Sequence, residues 1–202
     1  VGELLSNDVL HNYLQKFGIG SKTGVGLPGE ESGRLLDVKN WSGTTAPTVA
    51  FGQGYSLTAI QATSVFATIA NDGLRVAPTI IAGTSDSAGR YTPAPARSSV
   101  RVVSKETAQQ MRLMMESVVS PDGTAPTAAI PGYRVAGKTG TAQRVDDSCH
   151  CYRGYTASFI GFAPADKPKY VVSVTIQDPK GMHWGGLLAG PVFKKVMSFV
   201  LQ

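Results

Sequence analysis

The chain has 202 residues, of which 42% are hydrophobic and 16% charged, and its formal net charge is +5. These values are ordinary for a folded globular domain with one sizeable core. The basic residues are scattered, which argues against a nucleic-acid partner, while a basic surface facing an anionic polymer or a membrane fits the charge equally well. The sequence has no run of about 18 apolar residues and no N-terminal signal. If the protein belongs outside the cytoplasm, its export or anchoring segment is expected upstream of Val1.

The first quarter of the chain predicts one helix followed by a long irregular segment. Ser6 or Asn7 can cap the helix, and Gly18 ends it. Residues 19–48 are dominated by Gly, Pro, Ser and Thr and are predicted to be loop, with Trp41 anchoring them to the core. The apolar face of the helix, at helical spacing, comprises Leu10, Tyr13, Leu14 and Phe17.

Two further helices are predicted from their caps. Thr58 and Gln61 have capping-box spacing, and the helix that they begin should be a core helix that ends at residues 71–73. Residues 75–81 read as extended, 84–99 as a loop or hairpin and 100–103 as a brief strand. Ser104 then caps a helix whose methionines are interpreted as core filling. The two apolar stripes are Ala62, Val65, Phe66 and Ile69, and Ala108, Met111, Met115, Val118 and Val119.

The central feature is a strand over residues 134–143 that carries Lys138, Thr139, Gly140 and Thr141, here called the 138–141 stretch. Side chains alternate along it with a period of two. Glycines inside a strand indicate close approach of a ligand or another backbone. An ammonium, two hydroxyls and exposed N–H groups side by side suit a carboxylate and a developing oxyanion. The alternative is an edge strand with a solvated lysine.

A second copy of the triplet, Lys22-Thr23-Gly24, lies in a stretch dense in Gly and Pro with no alternating run after it. This 22–24 triplet is predicted to be a turn-rich loop. We therefore interpret it as a chance recurrence and assign the site to the 138–141 stretch.

Two cysteines, Cys149 and Cys151, flank His150 in a polar segment, 144–153, that is predicted to be a loop. Zinc sites usually space cysteines by about two to four residues and need further ligands, so a metal is disfavoured. A disulfide requires a sharp bend at His150 and an oxidising compartment. Two free surface thiols are the alternative, and the disulfide is the preferred interpretation.

The remaining residues predict strands over 156–163 and 170–176 and a final helix beginning at Pro191. Short turns make the three strands antiparallel, and the last helix should cover one face of the sheet. The class is therefore α+β. The apolar face of the last helix comprises Phe193, Val196, Met197 and Val200.

Together these residues resemble the second half of the transpeptidase domain of class B penicillin-binding proteins, most closely the division type. The matching stretches are TGVGLPGE (23–30), FGQGYSLT (51–58) with Gln61, ANDG (70–73), GTA (123–125), VAGKTGTAQ (135–143) and SFIGFAP (158–164). The resemblance implies a serine β-lactamase-like fold, an antiparallel sheet packed by helices, that is incomplete in this chain. It also implies peptidoglycan DD-transpeptidase activity by serine acyl transfer, without a cofactor or a metal.

The resemblance assigns roles within the 138–141 stretch. Lys138 would supply positive charge to the substrate carboxylate and to the proton network, and Thr139 and Thr141 would hydrogen-bond that carboxylate. The N–H of Thr141 would form half of the oxyanion hole. Gly140 would let the acyl chain lie along the strand edge. The implied ligands are the D-Ala-D-Ala end of the peptidoglycan stem peptide and β-lactams, with division proteins as further partners.

The family's Ser-x-x-Lys and Ser-x-Asn boxes do not occur in these 202 residues. Val1-Gly2 resembles the residues that come directly after the Ser-x-Asn box in the family. Residues 1–202 are therefore expected to be the C-terminal portion of one transpeptidase domain, completed by an N-terminal portion that bears the nucleophile. Alone the chain should not be catalytic. The complete protein should be extracytoplasmic and attached to the cell membrane through its upstream segment.

Two other classes of function remain open. A DD-carboxypeptidase or β-lactamase-like hydrolase would share the Lys-Thr-Gly wall, although the segment 27–30 favours the transpeptidases. A non-catalytic β-lactam-sensing or divisome-binding module could use the same fold. A Ser-His-Asp hydrolase is disfavoured, because no Gly-x-Ser-x-Gly elbow is present.

Overall fold

The computed structural model describes residues 4–146, 148–149 and 151–202. They divide into two compact units, the first formed by residues 4–64 and 74–102 and the second by residues 65–73 and 103–202. Val1-Gly2 and His150, which the sequence analysis interpreted, lie outside the described residues. Among the described residues no helix is both long and apolar enough to cross a membrane.

The first unit combines short helices with two small antiparallel sheets. Its helices are α1 (Asn7–Lys16), a 3-10 turn (Val38–Asn40), α2 (Thr45–Ala50) and the first half of α3 (Ala59–Ala70). Strand β1 (Leu74–Val76) pairs with β4 (Ser99–Arg101). Between them, β2 (Gly83–Ser85) and β3 (Tyr91–Pro93) form the hairpin that the sequence allowed for residues 84–99.

Helix α1 has the predicted caps, and its predicted face is right except at Tyr13, since Leu10, Leu14 and Phe17 are half-buried. The Ser6 hydroxyl accepts from the N–H of Val9, and Gly18 follows the helix in a left-handed conformation (φ +93°). The buried side chain is His11, whose ring meets Trp41 edge-on at 6.0 Å, while Tyr13 is exposed. The half-buried indole of Trp41 is therefore one of the groups on which helix α1 packs.

Helix α2 corrects the prediction of a continuous loop over residues 19–48. Its sequence, with Pro47 and two threonines, carries no helical period. Pro47 nevertheless lies in the first turn, where a helix has no internal partner for an N–H. A six-residue helix of this kind leaves no apolar stripe for sequence analysis to detect.

The capping box at the start of α3 is confirmed. The N–H of Thr58 donates to Gln61 Oε1 at 2.7 Å, and the N–H of Gln61 donates to Thr58 Oγ1 at 3.2 Å. Gln61 is fully buried, and its amide nitrogen also donates to the carbonyls of Gly18, Ser21 and Ser32. One side chain thus begins the helix and holds the preceding loops.

The second unit is built on three antiparallel strands in the order β5-β6-β7, as predicted: Ala136–Asp146, Cys151–Ala163 and Tyr170–Gln177. Helix α4 (Lys105–Glu116) and 3-10 turns at Ser117–Val119 and Pro126–Ala128 precede the sheet, and α5 (Gly185–Val200) follows it. Strand β5 lies at one edge of this sheet. In the β5–β6 register Lys138 faces Ile160 and Thr141 faces Ala157.

The β5–β6 hairpin is longer than predicted. The segment 144–153 is not a loop, because β5 continues to Asp146 and β6 begins at Cys151. The Cys149–Cys151 disulfide closes the turn, with a Cα separation of 5.2 Å, and this confirms the preferred interpretation of the cysteines. Most side chains of this outer part are exposed, so the apolar alternation that marks a strand is absent.

The core of the second unit forms where α5 covers one face of the sheet. Phe159 on β6 and Phe193 on α5 are fully buried and meet edge-to-face at 4.7 Å. Helix α5 begins at Gly185 and not at Pro191, which lies inside the helix. Glycines 185, 186 and 190 look like helix breakers in the sequence, yet each lies against neighbouring backbone or side chains where a Cβ would collide.

Helix α4 begins after its Ser104 cap as predicted, and its predicted apolar face is wrong only at Met111. Arg112 is buried, whereas Met111 is 39% exposed, so the core-filling role of Met111 was wrong. The Arg112 guanidinium donates to the carbonyls of Ile69 and Ala70 at the end of α3 and to Asp72 at 2.7 Å. It therefore acts as a C-terminal cap for α3.

We expect Asp72→Asn to lower the free energy of unfolding by about 1–3 kcal/mol, because the buried Arg112 would lose its charged partner. The hydrogen bond and charge of Arg112 lower the pKa of the Asp72 carboxyl. Its contribution is therefore present above the pKa of the unfolded carboxyl and lost as the pH falls through the lower folded pKa. Denaturant unfolding measures the difference.

The matched control is Lys105→Ala. Lys105 approaches the same carboxylate at 3.6 Å, but its side chain is 58% exposed. Its loss should therefore change the free energy of unfolding by less than about 1 kcal/mol. Equal losses for both variants would show that the burial of Arg112 does not set the strength of this contact.

Candidate active site

The 138–141 stretch lies in the inner half of β5, where glycines allow close packing on β6. A Cβ at Gly137 would collide with the ring of Phe159 and the carbonyl of Ile160. A Cβ at Gly140 would collide with the Ser158 hydroxyl. The predicted close approach at these glycines therefore includes neighbouring protein atoms, which fix the strand against the core.

Lys138 is exposed, and its ammonium folds along the strand. It donates to the carbonyl of Thr139 at 2.9 Å and lies 3.4 Å from the Thr139 hydroxyl oxygen. An ammonium can only donate hydrogen bonds. The Thr139 oxygen therefore acts as an acceptor toward Lys138 and keeps its own hydrogen for another partner.

The Thr139 hydroxyl oxygen also lies 3.1 Å from that of Thr124, and either hydroxyl can donate in this pair. With Thr124 donating, Thr139 accepts from its neighbours and keeps its own hydrogen for a ligand. Thr124 belongs to the GTA segment that was part of the family resemblance, but no role was predicted for it from the sequence.

The backbone around Thr124 is fixed by tight packing. Gly123 has no room for a Cβ beside the carbonyls of Ser117 and Val118. The N–H of Ala125 donates to the carbonyl of Val118 at 2.8 Å. Gly186 likewise has no room for a Cβ against the carbonyl of Thr124. Thr124 is therefore held in place although its hydroxyl is exposed.

Thr141 meets the first residue of α5. Its hydroxyl oxygen accepts from the N–H of Gly185 at 3.2 Å, one of the N–H groups that a helix start leaves without an internal partner. A Cβ at Gly185 would collide with the carbonyls of Gly140 and Ser158. Because Gly185 has no side chain, the positive end of the α5 dipole can lie against the 138–141 stretch.

Aromatic side chains extend the site beyond Thr141. Tyr155 pairs with Gln143 in the β5–β6 register, and its ring stacks on His183 at 3.9 Å. The ring of His183 lies 5.1 Å from that of Trp184, which is 59% exposed and directly precedes Gly185. This cluster could not be predicted from the sequence, because no local spacing connects residues of β6 with the β7–α5 loop.

All four predicted site residues thus lie on one strand beside Thr124 and the start of α5. One ammonium, three hydroxyls and a helix N-terminus concentrate hydrogen-bond donors in a small area, an arrangement suited to a carboxylate. Among the described residues no three His, Cys, Asp or Glu side chains lie close enough together to hold a metal ion.

The 22–24 triplet is already occupied by an internal carboxylate. Glu30 accepts from the N–H of Thr23 at 2.6 Å, from the Thr23 hydroxyl and from the N–H of Gly24 at 3.1 Å. The triplet lies outside helix and strand, as predicted. The Thr23 hydroxyl, with the two N–H groups, lowers the pKa of the Glu30 carboxyl.

We expect Thr23→Val to raise the pKa of Glu30 toward its ordinary value of 4.5, whereas Thr23→Ser should keep it low. The contact contributes stability above the pKa of the unfolded carboxyl, and this contribution is lost as the pH falls through the folded pKa. Side-chain NMR titration of Glu30 measures the shift. An unchanged pKa in the valine variant would contradict the assigned role of the hydroxyl.

Gly185→Ala should lower the free energy of unfolding by about 1–3 kcal/mol, because the new methyl group overlaps two backbone carbonyls that cannot move independently. Gly43→Ala is the control, since a Cβ at Gly43 meets open space and its φ is not left-handed. Denaturant unfolding of both variants compares them. A neutral Gly185→Ala would show that α5 can shift away from β5 at no cost.

Comparison with known proteins places this geometry in a family. The family model for the penicillin-binding protein transpeptidase domain matches residues 1–198. Penicillin-binding protein PbpB of Mycobacterium tuberculosis is 43% identical over 202 residues, which cover 95% of this chain and 30% of that protein. Stage V sporulation protein D of Bacillus subtilis is 40% identical over 200 residues, which cover 98% and 31%.

The structural comparison agrees. The crystal structure of penicillin-binding protein 3 from Mycobacterium tuberculosis complexed with aztreonam matches with a TM-score of 0.93 at 41% identity, covering 99% of this chain and 47% of that one. The chain spans about a third of the length of the relatives that it matches. On these matches, the chain belongs to the transpeptidase-domain family of class B penicillin-binding proteins, with their serine β-lactamase-like fold.

Proposed function

We propose that this chain forms one wall of the active site of a peptidoglycan DD-transpeptidase, which cross-links stem peptides by serine acyl transfer during septal wall synthesis. The observation that carries the proposal is the cluster of the Lys138 ammonium, the Thr139, Thr141 and Thr124 hydroxyls and the start of α5. Membership of the class B family supports the reaction class, as do relatives named peptidoglycan D,D-transpeptidase, such as FtsI of Escherichia coli at 35% identity.

In this reaction a serine from the rest of the protein attacks the carbonyl of the D-Ala-D-Ala bond. Lys138 provides positive charge for the terminal carboxylate and the proton network. Thr139 and Thr141 donate to that carboxylate. The Thr139 oxygen lies within hydrogen-bond distance of the Thr124 hydroxyl, and the Thr141 oxygen accepts from the N–H of Gly185.

The N–H of Thr141 forms half of the oxyanion hole, and the second half comes from the nucleophile. Each such donor contributes on the order of 10²–10³ in rate in serine acyl transfer. Gly140 leaves the edge of β5 open, so the acyl chain can add to it as a further strand. The peptide bond breaks and the terminal D-Ala leaves as the serine is acylated. The amino group of a second stem peptide then attacks the acyl ester, which forms the cross-link and releases the serine.

Residues 1–202 act as the C-terminal portion of one transpeptidase domain, and the N-terminal portion covers their exposed apolar side chains. Val192, Val196 and Phe199 form an exposed stripe on α5 at offsets 0, 4 and 7, with Phe199 76% exposed. Leu113 and Met114 on α4 are exposed as well. Exposed apolar stripes of this kind are typical of interfaces.

The same site accounts for β-lactam binding, since these drugs acylate the serine and place an anionic group, a carboxylate or a sulfonate, against the 138–141 stretch. Structures of the Mycobacterium tuberculosis relative are complexed with aztreonam and with ampicillin. The complete protein works outside the cytoplasm, attached to the membrane through its upstream segment, where division proteins are its partners. The disulfide fits an oxidising compartment.

The test is covalent labelling of the complete protein with a fluorescent penicillin. Lys138→Ala should lower the acylation rate by at least about a hundredfold, because the carboxylate and the proton network lose their cation. Near-normal labelling of this variant would remove Lys138 from the mechanism.

Lys22→Ala is the matched control, because it alters the same residue type in the same triplet where Glu30 already occupies the donors. Its labelling should equal that of the wild type. The 202-residue chain alone should not be labelled. If the folded complete protein also fails to label, the non-catalytic binding module becomes the better description.

A further inference from the structure

A disulfide lies at the tip of the hairpin that carries the 138–141 stretch. Cys149 and Cys151 are both exposed, and they are the two cysteines of the chain. The ring that they close contains a single intervening residue. Cross-links that close such short loops remove little entropy from the unfolded chain. A general stabilising role therefore does not account for this bond.

Hydrogen bonds that do not involve the disulfide also hold the turn. Asp146 accepts from the N–H of Ser148 at 2.9 Å and from its hydroxyl at 2.6 Å, and the N–H of Cys149 reaches the carbonyl of Asp146. The buried core of this unit is formed by residues of β6 and α5, such as Phe159 and Phe193, beyond the inner half of the hairpin. Because this core contains neither cysteine, we expect it to persist when the disulfide is lost.

The disulfide restrains the outer end of the hairpin. The strand register shifts between Gln143 and Val145, so the pairs 145–152 and 146–151 are separated from the regular inner ladder. Val145 and Tyr152 are 65% and 59% exposed, so apolar burial contributes little to this outer pairing. The covalent link is therefore the strongest restraint on it.

The surroundings of the bond favour thiol–disulfide exchange. Arg153 lies 3.8 Å from Asp146, and Arg144 is close enough to act on the same carboxylate, so cationic groups lie beside the turn. Cations stabilise the thiolate that leaves when a disulfide is attacked, although Asp146 offsets part of this effect. Exposed disulfides are also the ones that an oxidoreductase can reach.

We propose that Cys149–Cys151 is a reversible redox clamp on the outer β5–β6 hairpin and a substrate for a dithiol oxidoreductase. A thiolate of the partner attacks one cysteine sulfur to form a mixed disulfide, and the other cysteine leaves as a thiol. The partner's second thiolate then attacks the mixed disulfide. Two electrons and two protons pass to this chain, and the partner dithiol becomes a disulfide.

The first experiment treats the folded complete protein with millimolar dithiothreitol, followed by alkylation and mass spectrometry. We expect both cysteines to be alkylated without denaturant. The rate of backbone amide hydrogen exchange at residues 145, 146, 151 and 152 should then be at least tenfold higher in the reduced protein than in the oxidised protein. The rates at residues 136–142 and 156–163 should not change. Resistance to native reduction, or exchange unchanged at the outer pairs, would overturn the proposal.

Two further measurements separate the clamp from a general loss of structure. The double variant Cys149→Ser/Cys151→Ser should reproduce the exchange pattern of the reduced protein with the inner strands still protected. Fast exchange throughout β5 and β6 would show that the bond holds the sheet and is not a local clamp. A thioredoxin-fold oxidoreductase with its resolving cysteine replaced by serine should form a mixed disulfide with the wild type, and failure to form one would refute the exchange reaction.

Discussion

The packing of α5 on β6 is the interaction on which the second unit and its site depend. Phe193 meets Phe159 in a fully buried contact, and each buried ring contributes about 1.5–3 kcal/mol. The same packing sets where α5 begins. Because Gly185 has no Cβ, its N–H reaches the Thr141 hydroxyl while the helix lies against the carbonyls of Gly140 and Ser158. Stability of the core and geometry of the site therefore come from one contact.

The two Lys-Thr-Gly triplets show what their shared residue types can bind. In the 22–24 triplet a hydroxyl and two N–H groups converge on the Glu30 carboxylate. At the 138–141 stretch the hydroxyls of Thr139 and Thr141 instead take hydrogen bonds from Lys138 and Gly185. A hydroxyl that accepts from a cation or a helix start directs its own hydrogen away from that donor. On the strand, these residue types therefore direct their hydroxyl hydrogens toward a ligand, whereas in the 22–24 triplet the donors are already bound to Glu30.

The elements of the fold could be predicted where capping and period agree. Ser6, Thr58 and Ser104 each begin a helix where local hydrogen bonding required it. The three strands of the sheet followed from β-branched runs and short turns. The sequence failed where tertiary contacts override local preference. Arg112 occupies a buried position because it caps α3, and Pro191 is accepted inside α5 because Phe193 and Met197 are fully buried beside it.

The residues of the site were likewise predictable only where they lie close together along the chain. The 138–141 stretch is contiguous, so a strand pattern with the right residue types identified it. Thr124 and Gly185 reach it from other segments, and neither carries a local signal for its contact. Glycines were the missed indication, since Gly123, Gly185 and Gly186 are each placed where a Cβ would collide with backbone. A glycine that interrupts a helical pattern can mark close packing as well as a turn. In this chain, the close packing at these glycines places Thr124 and the start of α5 beside the 138–141 stretch.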